Sequence, residues 1–194
     1  MDRSRITELH LICPFDNVPS VLARGILSNK LQRKQVPGAT SVANAEVQAR
    51  RAAVRIPPKR EPLHSYANLY VHARNAMMST LRHLNDTLAV VRVSDDVLEL
   101  PGVIVADRNA AADDVIFRPA AGGVAALVED EVYAVWWNQS RDAKQKRCAE
   151  VLVPDRVPPE YVVGAYVRNG ACQSTLAGIC SDDLAVTVNA SLYF

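Results

Sequence analysis

One carboxylate stands at the start of an apolar run late in the chain, directly after a basic polar segment. Glu150 opens the run Val151-Leu152-Val153, and Pro154 ends it. A strand fixes a side chain more closely than a loop does, so Glu150 is placed to hydrogen-bond a sugar hydroxyl or to accept a proton. An ordinary glutamate on an edge strand fits the same residues, and the local pattern alone favours that simpler interpretation.

A second polar cluster lies where a predicted strand over residues 63–72 meets a predicted helix over residues 74–83. The strand alternates and carries aromatic residues, which is typical of a half-buried strand. Its tyrosines could stack on a planar ring such as nicotinamide, and the junction brings Arg74 and Asn75 to a helix start. A core strand with buried tyrosines and methionines would give the same pattern.

Two adjacent arginines, Arg50 and Arg51, lie on a helix predicted from residue 42 to about residue 54, with Ser41 as the expected N-cap. Consecutive side chains on a helix point a quarter-turn or more apart, so only one of the two arginines can face a given cleft. An arginine that faces a cleft can pair bidentately with a pyrophosphate, which lysine does less well. Two solvated arginines are the simpler alternative.

Basic residues crowd two short stretches of the chain. The first stretch holds Arg50, Arg51, Arg55, Lys59 and Arg60, and the second holds Arg141, Lys144, Lys146 and Arg147. Because the formal net charge is only +1, any binding of nucleic acid must depend on such local patches rather than on bulk charge. Each stretch is equally well explained as a solvated surface.

The composition bounds the class of protein. The 194 residues are 49% hydrophobic and 22% charged, which predicts one folded domain over residues 1–194. Four cysteines show no CxxC spacing and four histidines do not surround them, so no metal site is predicted. With no apolar leader and no apolar run of membrane-spanning length, the chain is expected in the cytoplasm, off membranes and with reduced thiols.

The elements that must position these residues follow from apolar runs and from Pro, Gly and Asp punctuation. Strands are predicted over residues 6–13, 63–72, 87–93, 103–106, 132–137, 151–153, 161–167 and 184–188. Helices are predicted between Asp16 and Gly25, over 42–54 and over 74–83, whereas 28–40 and 138–146 are expected to be polar loops. Short helices mainly in the N-terminal half and strands in the second indicate an α+β fold on a mixed, largely antiparallel sheet.

In this order, from residue 6 to residue 167, the motifs resemble the DarT family, whose members transfer ADP-ribose from NAD⁺ to DNA bases. Residues 15–28, Phe-Asp-Asn-Val-Pro-Ser-Val-Leu-Ala-Arg-Gly-Ile-Leu-Ser, match the second half of the family's opening motif. The double arginine, the strand motif at 63–66, the junction at 74–77 and the Ala-Glu-x-Leu-Val-Pro strand at 149–154 follow at similar spacing. The resemblance implies a single ADP-ribosyltransferase-like domain.

Some positions depart from the family pattern. His10 lies six residues before Asp16 rather than five, so either the strand carries an extra residue or His10 does not contact NAD⁺. Ser65 replaces the usual aspartate, and Ala76 replaces the usual proline. The less aromatic form of residues 67–70 fits a separate branch of the family with a different target base.

The resemblance implies distinct roles for the candidate residues. Glu150 would hydrogen-bond the nicotinamide ribose and stabilise the positive charge that develops as the bond to nicotinamide weakens. Arg51, with Arg50 as the alternative, would hold the pyrophosphate or the acceptor. The other implied NAD⁺ contacts are His10, Asn17, Gly25, Leu27, Tyr70 and Met78.

The implied acceptor is a base of single-stranded DNA, because an unstacked base avoids the cost of flipping. The implied DNA contacts are Arg74, Asn75, Trp137, Asn138, Arg141, Lys144 and Lys146. Family members are toxins paired with an antitoxin hydrolase, either a macrodomain protein or a related enzyme. The residues leave open the target base, transfer to RNA or protein instead, and a nucleic-acid-binding module in which Glu150 is only structural.

Overall fold

The computed structural model describes residues 1–40, 42, 44–180 and 184–194. Within these ranges the α-helices are α1 (Val18–Arg24), α2 (Asn29–Gln35), α3 (Ala45–Ala53), α4 (Ala76–Thr80), α5 (Ala120–Ala126), α6 (Glu129–Val132), α7 (Arg141–Lys146) and α8 (Gly170–Ile179). The strands are β1 (Glu8–Pro14), β2 (Ile26–Leu27), β3 (Arg55–Ile56), β4 (Glu61–Pro62), β5 (Tyr66–Tyr70), β6 (Leu88–Ser94), β7 (Ile104–Ala106), β8 (Phe117–Pro119), β9 (Glu150–Pro154), β10 (Arg156–Val157), β11 (Val162–Val167) and β12 (Val186–Val188).

Eight of these strands form one mixed sheet in the order β12-β11-β6-β1-β5-β9-β7-β8. The pair β11 and β12 is parallel, and the other neighbouring pairs are antiparallel. Two small ladders, β2 with β10 and β3 with β4, lie outside this sheet. The predicted α+β fold on a mixed, largely antiparallel sheet is therefore confirmed.

The register of the central strands brings polar residues from distant parts of the chain into one row. His10 on β1 is opposite Tyr70 on β5, Tyr70 is opposite Glu150 on β9, and Glu150 is opposite Ala106 on β7. Directly opposed residues of antiparallel strands point to the same face of a sheet. His10, Tyr70 and Glu150 therefore lie side by side on one face.

The main hydrophobic core covers the opposite face of the sheet. It is built from alternate strand residues, such as Leu9, Val91 and Val151, and from helix residues including Cys172 and Leu176 of α8. Two smaller clusters lie on the face that carries the polar row, one around Met78 and the other around Leu152. Since sheet side chains alternate between faces, the larger core fixes the register and thereby holds the row in place.

Two segments predicted to be loops contain short helices. Ser28 caps α2 by accepting a hydrogen bond from the Leu31 N–H at 3.3 Å, and Ser140 caps α7 by accepting one from the Ala143 N–H at 3.0 Å. These helices are polar and lack the apolar stripe that reveals a longer helix. The strand predicted over residues 132–137 is also wrong: α6 ends at Val132, and the apolar residues after it form no strand.

Other predicted bounds shift because of local capping. The strand predicted over 63–72 is shortened to β5, and the helix predicted over 74–83 is shortened to α4 because Asn75 caps it. Asn44 caps α3 by accepting from the backbone N–H groups of Glu46 and Val47, while the predicted cap Ser41 lies outside the described residues. Helices α5 to α8 all lie in the second half, where strands were expected to dominate.

Gly25 ends α1 as predicted, and a residue with a side chain would not fit easily in its place. Its φ of +79° lies in the left-handed region, and a Cβ atom there would come 2.0 Å from the carbonyl oxygen of Val157. The close approach lets β2 pair with β10 directly after the helix. None of the helices in the described ranges has the length and apolar character needed to cross a membrane.

Candidate active site

A buried ion pair joins α3 to the start of β9. Glu150 has 0% exposure, and Arg51 has 7%. Nη1 of Arg51 donates to Oε1 of Glu150 at 3.0 Å, and Nη2 donates to Oε2 at 3.0 Å. The Ala110 N–H donates to Oε1 at 2.9 Å. A bidentate pair with a third donor fixes the orientation of both side chains, as a preorganised site requires.

The helix geometry decides which of the two adjacent arginines enters this pair. Arg51 turns toward the sheet, whereas the Arg50 side chain is exposed. Both arginines line the adjoining cavity, contrary to the expectation that only one faces a given cleft, but Arg51 alone pairs with Glu150. Burial alone would lower the pKa of Arg51, but the charge and hydrogen bonds of Glu150 raise that pKa above its ordinary value.

Tyr70 lies next to Glu150 in the cross-strand row. Burial, followed by the negative charge of Glu150, raises the pKa of Tyr70 well above its usual range. Its hydroxyl donates to Sδ of Met77 at 3.0 Å. Tyr70 therefore stays neutral, and it presents an aromatic ring and a weakly bonded hydroxyl beside the carboxylate.

A cavity of about 510 Å³ opens beside the ion pair, which is within the range of small-molecule sites. The predicted NAD⁺ contacts that line it are Asn17, Gly25, Leu27, Arg51 and Tyr70. His64, Asn68 and Asn109 also line it, although the motifs did not single them out. Glu150 is not among the lining residues, because its fully buried carboxylate is paired with Arg51 at the cavity wall.

Two predicted NAD⁺ contacts do not line this cavity. His10 shares the row with Tyr70, but its Nε2 lies 3.1 Å from Oε1 of Glu8, and Glu8 also accepts from Arg92 at 2.7 Å. Met78 has 0% exposure and packs in a small core cluster. The structure therefore places Met78 in packing and His10 in a polar group with Glu8 and Arg92, although the following residues of β1 line the cavity.

Three of the predicted DNA contacts take part in the protein's own packing. Asn75 has 0% exposure, accepts from the N–H groups of Met77 and Met78, and donates to the His72 carbonyl at 2.9 Å. Arg74 donates to the carbonyl oxygens of Ser191 and Tyr193, and its guanidinium lies 4.0 Å from the centre of the Phe194 ring. Trp137 is 8% exposed and packs edge-on against Phe194 at 6.0 Å.

The tryptophan pair shows why this segment was misassigned. Trp136, which was not singled out, is 75% exposed, and its neighbour Val135 is 81% exposed. Trp137 is buried because its ring packs against Phe194, whereas Trp136 faces solvent. Nothing in the sequence around the two residues says which of them turns inward.

The basic residues around α7 differ in how far they are neutralised. Arg141 pairs with Asp113 at 3.6 Å, and Lys146 pairs with Glu131 at 2.7 Å and with Asp142 at 3.0 Å. Lys144 and Asn138 are exposed. Much of the positive charge that the sequence places here is thus offset by neighbouring carboxylates.

Arg147 is 3% exposed and serves a different purpose. Its Nε donates to the Arg74 carbonyl at 2.9 Å, its Nη1 donates to the Val132 carbonyl, and its Nη2 lies 3.1 Å from Nδ1 of His72. Burial lowers the pKa of Arg147 to about 10. Burial, and then the charge of Arg147, lowers the pKa of His72 to about 3, so His72 is neutral and can accept this hydrogen bond.

Over residues 1–40, 42, 44–180 and 184–194, no three His, Cys, Asp or Glu side chains come together as a metal ion would require. The groups described above are one carboxylate, one guanidinium and the cavity of about 510 Å³ beside them.

A strand carboxylate held by a helix arginine beside such a cavity, on a mixed sheet, is typical of a candidate active site. The chain belongs to the DarT family: the family model described as "ssDNA thymidine ADP-ribosyltransferase, DarT" matches residues 10–194. The family predicted from the sequence motifs is therefore confirmed.

Two curated relatives and two solved structures are similar to the chain. A DNA ADP-ribosyl transferase of Thermus aquaticus is 32% identical over 185 residues, covering 89% of this chain and 80% of the relative. A DNA ADP-ribosyl transferase-DNA ADP-ribosyl glycohydrolase fusion protein of Thermosipho africanus is 30% identical over 177 residues. That match covers 89% of this chain and 45% of the fusion protein, so the chain spans less than half of that relative.

The solved structures agree with the fold. The Thermosipho africanus DarTG structure in complex with ADP-ribose has a TM-score of 0.85 and 26% identity, covering 96% of this chain and 51% of that chain. The structure of Thermus sp. 2.9 DarT in complex with ADP-ribosylated ssDNA also has a TM-score of 0.85, with 19% identity and 97% of each chain covered. At that lower identity the second likeness establishes the fold alone.

Proposed function

We propose that this chain transfers ADP-ribose from NAD⁺ to a base of single-stranded DNA, and that thymidine is the first acceptor to test. The observation that carries the proposal is the buried pair of Arg51 and Glu150 at the wall of the cavity. The pair has the residue types that transfer requires, and it occurs in a member of a family described as ssDNA thymidine ADP-ribosyltransferases.

Glu150 acts on the nicotinamide ribose. Its carboxylate hydrogen-bonds a ribose hydroxyl and stabilises the positive charge that develops on the sugar as nicotinamide leaves. After that bond weakens, the same carboxylate can orient or deprotonate the acceptor nitrogen. Its position on a central strand, opposite Tyr70 and Ala106, supports this role because the strand backbone cannot move independently of the sheet.

Arg51 controls access to Glu150. In the structure both carboxylate oxygens accept from Arg51, and only the arginine lines the cavity. A pyrophosphate in the cavity offers the guanidinium a second bidentate partner. Binding of NAD⁺ would therefore draw Arg51 into the cavity and uncover Glu150 for the ribose.

The rest of the cavity wall supplies shape more than charge. Tyr70 gives an aromatic surface for nicotinamide, and Gly25 and Leu27 bring the backbone close to the ligand. Asn17 positions the cavity rim, since its side chain donates to the Thr40 carbonyl at 2.7 Å and accepts from the Thr40 N–H at 3.1 Å. His10 acts through Tyr70, which lies directly opposite it on β5.

Recognition of the acceptor strand falls to exposed groups near the segment between α6 and α7. Trp136 takes the stacking role first assigned to Trp137, because an exposed indole can stack on a base of any sequence. Asn138, Arg141 and Lys144 are exposed beside it and can contact the strand. Arg74 is half-buried and supports this surface from below.

The proposed cellular role of the chain is based on its membership of the DarT family. We place the chain in the cytoplasm as the toxin of a toxin–antitoxin pair, with residues 1–194 forming one catalytic domain. The partner would be an ADP-ribosyl hydrolase that removes the modification. The Thermosipho africanus relative, which is described as a fusion of transferase and glycohydrolase, supports this pairing.

The test is to supply labelled NAD⁺ together with single-stranded homo-oligonucleotides of each base, duplex DNA, RNA and a protein lysate in parallel reactions. Labelling of the thymidine oligonucleotide, with much weaker labelling of duplex DNA, is the expected result. Labelling confined to the guanine oligonucleotide would keep the activity and change the base. Labelling of only RNA or protein would overturn the proposed acceptor, and no labelling at all would favour a binding module.

A further inference from the structure

The first basic stretch of the chain is largely unused by the site described above. Arg51 turns inward to Glu150, whereas Arg50, Arg55, Lys59 and Arg60 are all exposed. Among the described residues none of these four is within ion-pair distance of a carboxylate, and Arg55 donates only to the backbone carbonyls of Ala52 and Val54. The four residues therefore form an unneutralised positive surface, which we call the α3–β4 basic surface.

This surface contrasts with the second basic stretch. There, Arg141 and Lys146 are paired with carboxylates, and Arg147 is buried. A polyanion gains most where positive charge is exposed and not already paired, because it then releases counterions without breaking ion pairs. The α3–β4 basic surface is therefore the stronger candidate for a phosphate backbone.

A groove of about 590 Å³ runs beside this surface, between the end of α3 and residues 111–117. Arg50 and Arg55 line one side, and Asp113 and Ile116 line the other. Its apolar lining residues include Val54, Val115 and Phe117. The groove thus combines a cationic edge with an apolar floor.

The groove adjoins the proposed NAD⁺ cavity. Arg50 lines both of them, so the two meet at this side chain. On its other side, Asp113 pairs with Arg141 of α7 at 3.6 Å. A strand whose target base enters the cavity could therefore continue through the groove without leaving the protein surface.

We propose that this groove holds the part of the DNA strand that flanks the target base. The phosphates lie against the α3–β4 basic surface, and a neighbouring base rests on the apolar floor. Single-stranded DNA matches both features, since it alternates negative charge with flat apolar rings. The inference rests on the proposed function, because it requires that single-stranded DNA be the substrate.

The test compares two triple variants that each remove three positive charges. R55Q/K59Q/R60Q changes the α3–β4 basic surface, and R24Q/R82Q/R156Q changes three exposed arginines that line neither the cavity nor the groove. Binding of thymidine oligonucleotides of roughly 4 and roughly 16 nucleotides is measured over a range of salt concentrations. R55Q/K59Q/R60Q is called the groove variant, and R24Q/R82Q/R156Q is the control variant. For the longer oligonucleotide, the magnitude of the slope of log K against log salt should fall by about 2 in the groove variant, at about 0.7 per lost phosphate contact. The control variant should keep the parental slope.

A second pair of variants tests the apolar lining of the groove without changing charge. Ile116 is 47% exposed and lines the groove, and Val163 is 45% exposed on β11, at the other end of the sheet. Ile116→Ser should weaken binding of the longer oligonucleotide by roughly threefold with an unchanged salt slope, because an apolar contact releases no counterions. Val163→Ser should bind as the parent does.

The outcomes separate this inference from the proposed function. If the parental protein labels DNA and the groove variant keeps the parental salt slope, the groove assignment is overturned while the activity stands. An equal fall in slope in the control variant also overturns it, since the effect would then be one of net charge. If the parental protein binds and labels no oligonucleotide, the proposed function itself has failed.

Discussion

Two arginines are buried to a similar extent in this protein, but their partners differ in kind. Arg51 is 7% exposed and gives both of its terminal nitrogens to one carboxylate, that of Glu150. Arg147 is 3% exposed and donates to the backbone carbonyls of Arg74 and Val132 and to the neutral ring of His72. The pair of Arg51 and Glu150 lies beside a cavity, whereas the contacts of Arg147 hold segments of the chain together.

The difference shows how burial can serve chemistry or structure. Arg51 can exchange its carboxylate for a phosphate from the cavity, because both partners are anions that bind a guanidinium bidentately. The partners of Arg147 are two backbone carbonyls and the neutral ring of His72, so leaving them would strand buried acceptors. In the proposed mechanism Arg51 therefore switches partners during the reaction, whereas Arg147 is a fixed structural strut.

The largest expected effect is on the rate of transfer when Glu150 is changed. Glu150→Gln keeps the side-chain volume and one acceptor for Arg51 and Ala110, but it removes the negative charge. Transfer should fall by about 100-fold or more, since the carboxylate acts chiefly in the transition state. NAD⁺ affinity should stay equal or rise, because Arg51 is released toward the pyrophosphate.

Stability alone does not separate the catalytic and structural roles of Glu150. A change at a fully buried, ion-paired carboxylate costs about 2 kcal/mol whichever role it has. Rates should therefore be compared at a temperature where both proteins are folded, with the exposed Glu160→Gln as a control that leaves transfer unchanged. A folded Glu150→Gln protein that modifies DNA at the parental rate would contradict the mechanism.

The next largest effect is expected on stability, when the structural arginine Arg147 is changed. Arg147→Met removes the strut and takes away the donor to the buried carbonyls of Arg74 and Val132. The free energy of unfolding should fall by about 3 kcal/mol, while the transfer rate per folded molecule changes little.

Arg51→Lys should do the reverse, keeping most of the stability and losing most of the rate, because lysine cannot bind bidentately. Chemical denaturation and single-turnover rates on the same preparations distinguish the two. Equal losses of rate would mean that both arginines serve the reaction.

Much of the sheet could be predicted because local sequence patterns indicate its buried strands. Strand β6 was expected over 87–93 and is found over Leu88–Ser94, and β9 was expected over 151–153 and is found over Glu150–Pro154. Apolar runs bounded by prolines and charged residues are sufficient to locate such buried strands. Helix α8 was missed because its alanines, glycines and hydroxyl residues give no clear apolar stripe.

The site could be predicted only as far as local motifs reach. The strand pattern singled out Glu150, but its partner lies 99 residues away, and only tertiary packing chooses Arg51 over Arg50. The Ala110 N–H could not be found from side-chain types at all, because it is a backbone donor brought in by a loop. For the same reason the burial of Trp137 could not be predicted, because it depends on Phe194, which lies far away in the sequence.

The smallest expected effect is a pH dependence that belongs to the strut and not to the catalytic pair. The pKa of His72 is lowered to about 3 in the folded protein, first by burial and then by the charge of Arg147, against an ordinary value of 6.5. Between these two values the unfolded chain binds a proton that the folded protein does not. Stability from this residue is therefore fully present above about pH 6.5 and is lost as the pH falls toward 3, at up to about 1.4 kcal/mol per pH unit.

Glu8, whose pKa is lowered to about 2, adds a loss of the same sign below about pH 4.5. Denaturation midpoints of the parental protein and of His72→Gln at pH 7.5 and pH 5 separate His72 from Glu8, since Glu8 titrates below that interval. His64, whose pKa burial also lowers, contributes equally in both proteins. The parental protein should lose stability between these values and His72→Gln should lose distinctly less, whereas an identical loss in both proteins would place the titrating group elsewhere.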